Sequence, residues 1–425
     1  MTGAIAIFLF LIYLAMGMPI FFVLAVVSCF YFWSADMSQV MVLQRMFVGL
    51  DQFVIMAVPM FILAGKLMAA GGTLHRLIDL AVVLVGHVRG GLAQVNIVAS
   101  MFFSGISGSA TADVSALGPI EIEMMKKGRY PVDFATAVTI SSSVIGPIVP
   151  PSIPLVIYGV VASTSIGNLF LAGIVPGLLM GIGLMILVYF MTFKFDVDPQ
   201  PRASFKRMAQ AFVDGIGPMG LPFIIIAGIY TGLFTPTEAA AVACVYAFGL
   251  GMFVYRQLKW RHLPAIMLES GLITASALSI LAMSNVLSWI FTVELLPQAL
   301  AQFLLSISEN KYVVLLLINI GLLLLGCVME TLAAIIIVVP IFLPIVVGLG
   351  IDPVHFGVIV SINLTLGLLT PPLGLNLYIA SAITGVNVDR IAYVNLPFLA
   401  VLITVLMIVT FVPELSLLLP NLMLN

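Results

Sequence analysis

Charge is scarce in this sequence. Its 425 residues carry only 16 Lys or Arg and 18 Asp or Glu, so 8% are charged, where a soluble globular chain carries roughly 25%. So few ions cannot clothe a water-facing surface. With 62% hydrophobic residues and a mean hydropathy of +1.24, most of the outside must face hydrocarbon. The net charge of −2 and the lack of a basic cluster exclude a nucleic-acid partner. Cysteine is scarce too. Cys29, Cys244 and Cys327 lie in apolar runs without C-x-x-C spacing, which excludes a disulfide framework or zinc site and leaves small core residues as the reading. His75, His87, His262 and His355 are dispersed among interface positions, and no HExxH, GxSxG or GxxxxGK[ST] occurs, so no enzyme and no ATP-binding loop is expected. No basic n-region precedes the first apolar run, so no cleavable signal is expected.

Long apolar runs are abundant. A helix crossing the bilayer core needs about 20 mostly apolar residues, and crossings are expected at 3–16, 19–34, 50–70, 131–162, 167–193, 216–233, 236–255, 270–293, 353–383 and 391–415. Gly17-Met18-Pro19 is either a turn between the first two or a kink in one long helix. The stretches 91–127 and 312–349 are too long for one crossing and too interrupted for two, which fits re-entrant helical hairpins. With ten crossings, two hairpins and the N-terminus outside, fourteen of the sixteen cations fall inside and only Arg45 and Lys311 fall outside. That bias follows the positive-inside rule and places both termini outside. The segments 71–90 and 256–269 mix basic and apolar residues, as helices lying along the interface do.

The chain also repeats itself. At an offset of 221–222 residues, Gly105 matches Gly326, Pro119-Ile120 matches Pro340-Ile341, Gly128 matches Gly350, Gly146 matches Gly367, and Pro150-Pro151 matches Pro371-Pro372. Residues 1–205, with hairpin 91–127 and broken helix 131–162, form a first repeat. Residues 206–425, with hairpin 312–349 and broken helix 353–383, form a second, and the charged stretch 194–215 links them. Five crossings per repeat is odd, so the second copy enters upside down. An all-α integral membrane protein with an inverted-topology repeat, two re-entrant hairpins and two broken helices is the expected fold, typical of secondary transporters.

Irregular polar backbone at membrane depth marks where chemistry sits. The first hairpin tip is Ser104-Gly105-Ile106-Ser107-Gly108-Ser109-Ala110-Thr111, with Asp113 just beyond; its partner break is Ser141-Ser142-Ser143 to Ser152. The second tip is Gly326-Cys327-Val328-Met329-Glu330-Thr331, and its partner break runs from Asn363 through Thr370-Pro371-Pro372 to Asn376. Paired prolines remove amide donors and free carbonyls of the preceding turn. Freed carbonyls and tip hydroxyls are hard oxygen ligands for Na⁺, while half-helix N-termini favour an anion. Each pair can hold one Na⁺, with an anionic substrate between, although any single Ser or Thr can instead bond back to its own helix. Acids at depth are functional candidates. Asp113 and Glu330 lie by the tips, whereas Glu238 after Pro236 is expected to cap a helix, and Asp79, Asp133 and Asp352 to be solvated or capping.

These motifs are familiar together. SGISGSATADVSALGPI, GRYP and GPIVPPS in the first half, with GCVMETLAAIIIVVPIFLP and LTPPLGLNLY in the second, resemble the large membrane subunit of the tripartite ATP-independent periplasmic (TRAP) transporters over essentially the whole chain. The second tip departs from the pattern, reading Met329-Glu330-Thr331 where an Asp-Pro-Thr-like element is expected. The resemblance implies an elevator-type, Na⁺-driven importer of an organic acid such as sialic acid or a C4-dicarboxylate. It further implies a bacterial inner membrane, with both termini on its periplasmic side, a periplasmic substrate-binding protein, and a small four-helix membrane subunit as a separate chain. Carried over by motif position, one Na⁺ site takes Gly105, Ser107, Ser109, Pro147 and Val149, and a second takes Gly326, Thr331, Gly367 and Thr370. Asp113, Ser109, Glu330 and Asn376 are then the candidates for substrate binding or coupling. A stand-alone carboxylate carrier and a passive channel remain the alternatives.

Overall fold

The structure, a computed structural model, describes residues 5, 8–10, 12–13, 16–195, 197 and 199–423. Every regular element among them is helical. The expected crossing 3–16 lies in large part outside the described residues. Beyond it the chain turns at Met16-Gly17, where Gly17 takes a left-handed conformation (φ +74°) and the Met18 amide bonds Tyr13 O at 3.2 Å. A separate helix then starts behind Pro19, so the chain turns here and does not form one kinked helix.

Two groups of helices pack together. The first contains α1 (Ile20–Ser34), α2 (Val40–Leu50) and α3 (Ala57–Ala70), and later α10 (Phe205–Tyr230), α11 (Pro236–Gly249) and α12 (Leu263–Val293). Helix α12 lies along α1, α2 and α3, while α11 packs on α3 and α10. The second group holds a hairpin, α5 (Gly91–Ser107) and α6 (Ala110–Lys127), and a helix broken into α7 (Val132–Ser143) and α8 (Ile153–Val161). After α9 (Ile166–Met191), it gains a second hairpin, α14 (Lys311–Gly326) and α15 (Thr331–Gly348), and a second broken helix, α16 (Pro353–Gly367) and α17 (Leu375–Thr384). Helix α18 (Val388–Phe411) closes this group.

The order hairpin, broken helix, long helix thus occurs twice. The packing is reciprocal: α8 of the first half lies on α15 of the second, and α17 of the second lies on α6 of the first. The core follows the two breaks, for every residue from Phe134 to Ser143 and from Val354 to Gly367 is buried. Helix α7, with 12 residues, rises only about 18 Å, too little to cross about 30 Å of hydrocarbon alone. Among the described residues, seven helices are long and apolar enough to cross a membrane singly. The other expected crossings are shorter helices or broken pairs.

Local chemistry explains most boundaries. The Thr235 side chain and Glu238 form a reciprocal capping box at the start of α11, with Thr235 N donating to Glu238 Oε2 at 2.8 Å, as expected for Glu238. Asp352 caps α16 by accepting from Val354 N at 2.7 Å.

Several expectations need correction. The stretch between the expected crossings 19–34 and 50–70 contains α2, which buries Val42 and Gly49 and packs on α12, with Gly49 against Asn285. The linker 194–215 is helical from Phe205, because the Ser204 hydroxyl caps α10 at Arg207 N. The segment 256–269 is a short turn followed by the first residues of the 31-residue α12. The counterpart of α4 (Thr73–Val85), the helix that enters the first hairpin, is instead α13 (Leu296–Ile307). Helix α13 meets α14 at 120°. The last crossing is followed by α19 (Glu414–Met423), which packs on α9 and α16. Its Ser416 bonds Nδ1 of His355 at 2.6 Å, so His355 is buried, not interfacial. Among the cysteines only Cys327 is a core residue; Cys244 is half-buried and Cys29 exposed.

Candidate functional site

At the first tip, α5 ends at Ser107 and the chain reverses through left-handed Gly108 (φ +59°). Ser109 then caps α6, its hydroxyl accepting from Ala112 N at 3.4 Å and lying 3.1 Å from Thr111 Oγ1. This reversal brings Ser107 back over the first turn of α6, where its hydroxyl donates to Asp113 Oδ1. Asp113 is 1% exposed, and its Oδ2 has no hydrogen-bond partner. A Cβ built on Gly146 would stand 2.7 Å from that oxygen, so only a glycine in the break lets the carboxylate close on it.

The tip seats itself on its own half's break. A Cβ on Gly108 would lie 2.7 Å from Pro151 O, and one on Gly105 3.3 Å from Pro150 O. Behind this, Gly105 faces Pro222 of α10, and Gly65 of α3 lies against Ile106 O, so the first helix group covers the tip. The break is itself tied: Ser152 caps α8 and donates to Pro147 O, while Val149 is half-buried. A polar seam continues away from the tip between α5 and α7. Ser100 Oγ and Ser142 Oγ are 2.9 Å apart, Ser142 donates to Asn96 Oδ1 at 2.9 Å, and Asn96 donates to Thr139 Oγ1 at 2.7 Å.

The second tip follows the same plan. Gly326 and Gly367 touch backbone to backbone, since a Cβ on Gly367 would lie 2.1 Å from the Gly326 carbonyl carbon. Leu373 N donates to Cys327 O at 3.3 Å, fastening the tip to the far side of the paired prolines. The seam of this half is Asn363 Nδ2 to Asn319 Oδ1 at 2.7 Å and Asn319 to Thr410 at 3.1 Å. Thr331 is 3% exposed and its hydroxyl has no partner, whereas the Thr370 hydroxyl bonds back to Leu366 O at 3.1 Å.

Glu330 has a local role as well. It is exposed, and its carboxylate caps α15 by accepting from Leu332 N at 3.0 Å and Ala333 N at 3.3 Å. The two halves meet at Asn376, whose Nδ2 donates to Ser143 Oγ at 3.1 Å while its Oδ1 stays unpartnered. Several buried polar residues escaped the sequence reading, the seam residues Asn96, Ser100, Thr139 and Asn319 among them, and two more stand out. Asn395 accepts from Ser141 at 2.6 Å, and Glu121 on α6 is fully buried with both oxygens unpartnered. Lys126 and Lys127 follow Glu121 closely, which reads as a solvated helix end; the i, i+4 spacing from Asp113 through Leu117 was the signal that places it on the inner face.

Two hairpins whose tips meet broken helices inside a membrane bundle define a transporter fold. The chain matches the crystal structure of the YdaH transporter of Alcanivorax borkumensis with a TM-score of 0.65 at 14% identity, over 88% of this chain and 87% of that one. At that identity the likeness is one of fold. The family profile described as "Tripartite ATP-independent periplasmic transporter, DctM component" matches residues 7–415. The sialic acid TRAP transporter large permease protein of Vibrio cholerae is 44% identical over 414 residues, 96% of each chain. The C4-dicarboxylate TRAP transporter large permease protein of Pseudomonas aeruginosa is 41% identical over 377 residues, 89% of this chain and 88% of that one. The chain belongs to the DctM-component family of tripartite ATP-independent periplasmic transporters: it is a large permease subunit, and not an enzyme.

Proposed function

We propose that this permease imports a carboxylated organic acid, of the sialic acid or C4-dicarboxylate kind, coupled to Na⁺ by elevator movement of the hairpin-bearing helices against the first helix group. The observation that carries the reading is the docking of each hairpin tip on the broken helix of its own half, with Asp113 buried at the first tip. The substrates for which the relatives are named supply the solute class.

The donor set suits Na⁺. At the first tip, Ser107 and Ser109 hydroxyls and the carbonyls of Gly105, Pro147 and Val149 are oxygen ligands, and the unpartnered Asp113 Oδ2 supplies negative charge beside them. At the second, the unpartnered Thr331 hydroxyl joins carbonyls of Gly326 and Gly367 and the Thr370 oxygen, whose lone pairs stay free while its proton goes to Leu366 O. Asn376, bonded to Ser143 across the halves, lies between the two sites and offers its free Oδ1 to the solute. Ser109 spends its hydroxyl on the α6 cap, which leaves it less to give a substrate. Glu330, capping α15 at the exposed tip, acts in this scheme by holding the hairpin closed and not by ligation.

The halves 1–205 and 206–425 are inverted copies in this reading, the membrane is the bacterial inner membrane, and both termini are periplasmic. A periplasmic binding protein delivers the acid, and a small four-helix subunit on a separate chain braces the first helix group. The test is uptake into proteoliposomes holding the permease and small subunit, with candidate acids loaded on the binding protein. Accumulation that requires both Na⁺ and binding protein is expected. Uptake without the binding protein would mean a stand-alone carrier, and downhill flux indifferent to Na⁺ would mean a channel.

A further inference from the structure

One buried acid has no part in this scheme. Asp113, Leu117, Glu121 and Met125 share the buried face of α6. Ser107 meets Asp113 and Asn96 meets Met125 across the antiparallel hairpin, which puts Glu121 level with Ser100 along it. Glu121 is 0% exposed, and neither Oε1 nor Oε2 has a hydrogen-bond partner. An ionised carboxylate so placed finds no donor or cationic side chain among the described residues to compensate it, and such groups take up a proton instead.

No charge nearby offers relief. The elements packed on α6 are α5, α7 and α17. Helix α5 carries no titratable side chain, α7 has only Asp133, which is 2.7 Å from Arg390, and α17 has only the exposed Tyr378. On α6 itself, Asp113 is of like sign, and Lys126 and Lys127 are exposed beside Glu123 at 3.8 and 3.9 Å.

We propose that Glu121 is a proton-binding site within the first hairpin: its carboxyl stays protonated while the hairpin is packed, and loss of that proton sets the alkaline limit of uptake. The proton comes from water when the hairpin loosens and returns there. The charged form cannot be repacked, so the productive population falls as pH rises past the titration point.

Infrared spectroscopy of the purified permease complex tests the site without relying on transport. A neutral-carboxyl C=O band is expected at neutral pH, present in Asp113→Asn and removed when Glu121→Gln is added to that variant. No band in the wild type or in Asp113→Asn, or a band in Asp113→Asn that Glu121→Gln leaves in place, would overturn the proposal. In reconstituted uptake, which rests on the transport reading above, the wild type should decline about tenfold per pH unit beyond its midpoint, the slope of one titrating group. Glu121→Gln should flatten that decline. An unaltered alkaline decline in the variant would overturn the functional half. If Glu121→Gln does not fold, Glu121→Asp keeps a titratable carboxyl and should move the decline along the pH axis; an unmoved decline refutes the assignment.

Discussion

Gly146 and Gly367 occupy equivalent places in the two breaks, yet they make room for different things. Gly146 admits a carboxylate, whereas Gly367 admits another backbone. A methyl group on Gly367 would meet the Gly326 carbonyl carbon at 2.1 Å, and backbone cannot swing aside as a flexible side chain can. Gly367→Ala should therefore destabilise the permease on the order of 1–3 kcal/mol, read as a lower midpoint in thermal denaturation in detergent. Asp113→Asn keeps the shape and removes the charge, so uptake should fall to a small fraction of wild type with the fold intact. Near-normal uptake would remove Asp113 from the coupling machinery. Asp113 was legible because it follows a polar tip. Glu121 was not, because only its position on the inner face distinguishes it from the charged residues that follow.

At the scale of the element, what could be read was whatever rests on local chemistry. Both hairpins, both breaks and the caps at Glu238 and Asp352 follow from Gly, Pro and short polar side chains whose effects are felt within one turn. Helices α2, α13 and α19 were missed because each is short and half-apolar, and takes its partner from a distant segment: α12 for α2, α15 for α13, α9 for α19. Glu330 illustrates the boundary between the two kinds of information. The sequence shows an acid next to a tip, and only the fold shows it capping α15 from an exposed position. Glu330→Ala should cost about 1 kcal/mol of stability, measurable as a shifted denaturation midpoint, while Glu330→Asp should recover most of it. If the hairpins move, single cysteines at positions 107 and 330 should also change their labelling by a water-soluble thiol reagent when Na⁺ and solute are added. Identical labelling in all conditions would contradict movement of the tips.

For the whole molecule, the question is which helices travel together. Tip one is wedged between its own break and Pro222 of α10, so the interface between the two helix groups runs past Gly105. A Cβ on Gly105 would lie 3.3 Å from the Pro222 Cβ and 2.7 Å from its Cγ, and replacing both residues by cysteine removes that Cγ clash. The separation is near that of disulfide-bonded Cβ atoms, about 3.5–4.5 Å. Oxidised Gly105→Cys/Pro222→Cys permease should be arrested, and reductant should restore uptake. Continued uptake by fully crosslinked protein would refute a sliding interface. The total architecture was legible as a count of apolar runs and a matched set of prolines and glycines. The surface between the two helix groups was not, since it depends on contacts between distant residues such as Gly105 and Pro222.

The exchanged packing of the two halves also has a consequence for how the protein is made. Helix α8 finds its surface on α15, Ser143 its donor at Asn376, and Ser141 its acceptor at Asn395. A ribosome that has delivered the first half has therefore inserted a serine-rich broken helix in which Ser142 already meets Asn96 and Ser100, but for which Asn376, Asn395 and the α15 surface are not yet synthesised. Unsatisfied polar groups are poorly tolerated in lipid, so that segment must wait at the insertion machinery or near the headgroups until almost the entire chain has emerged. Assembly of the central unit is thereby postponed to the end of translation, and a chain cut short before residue 331 would leave a membrane-bound intermediate open to degradation, not half of a working transporter.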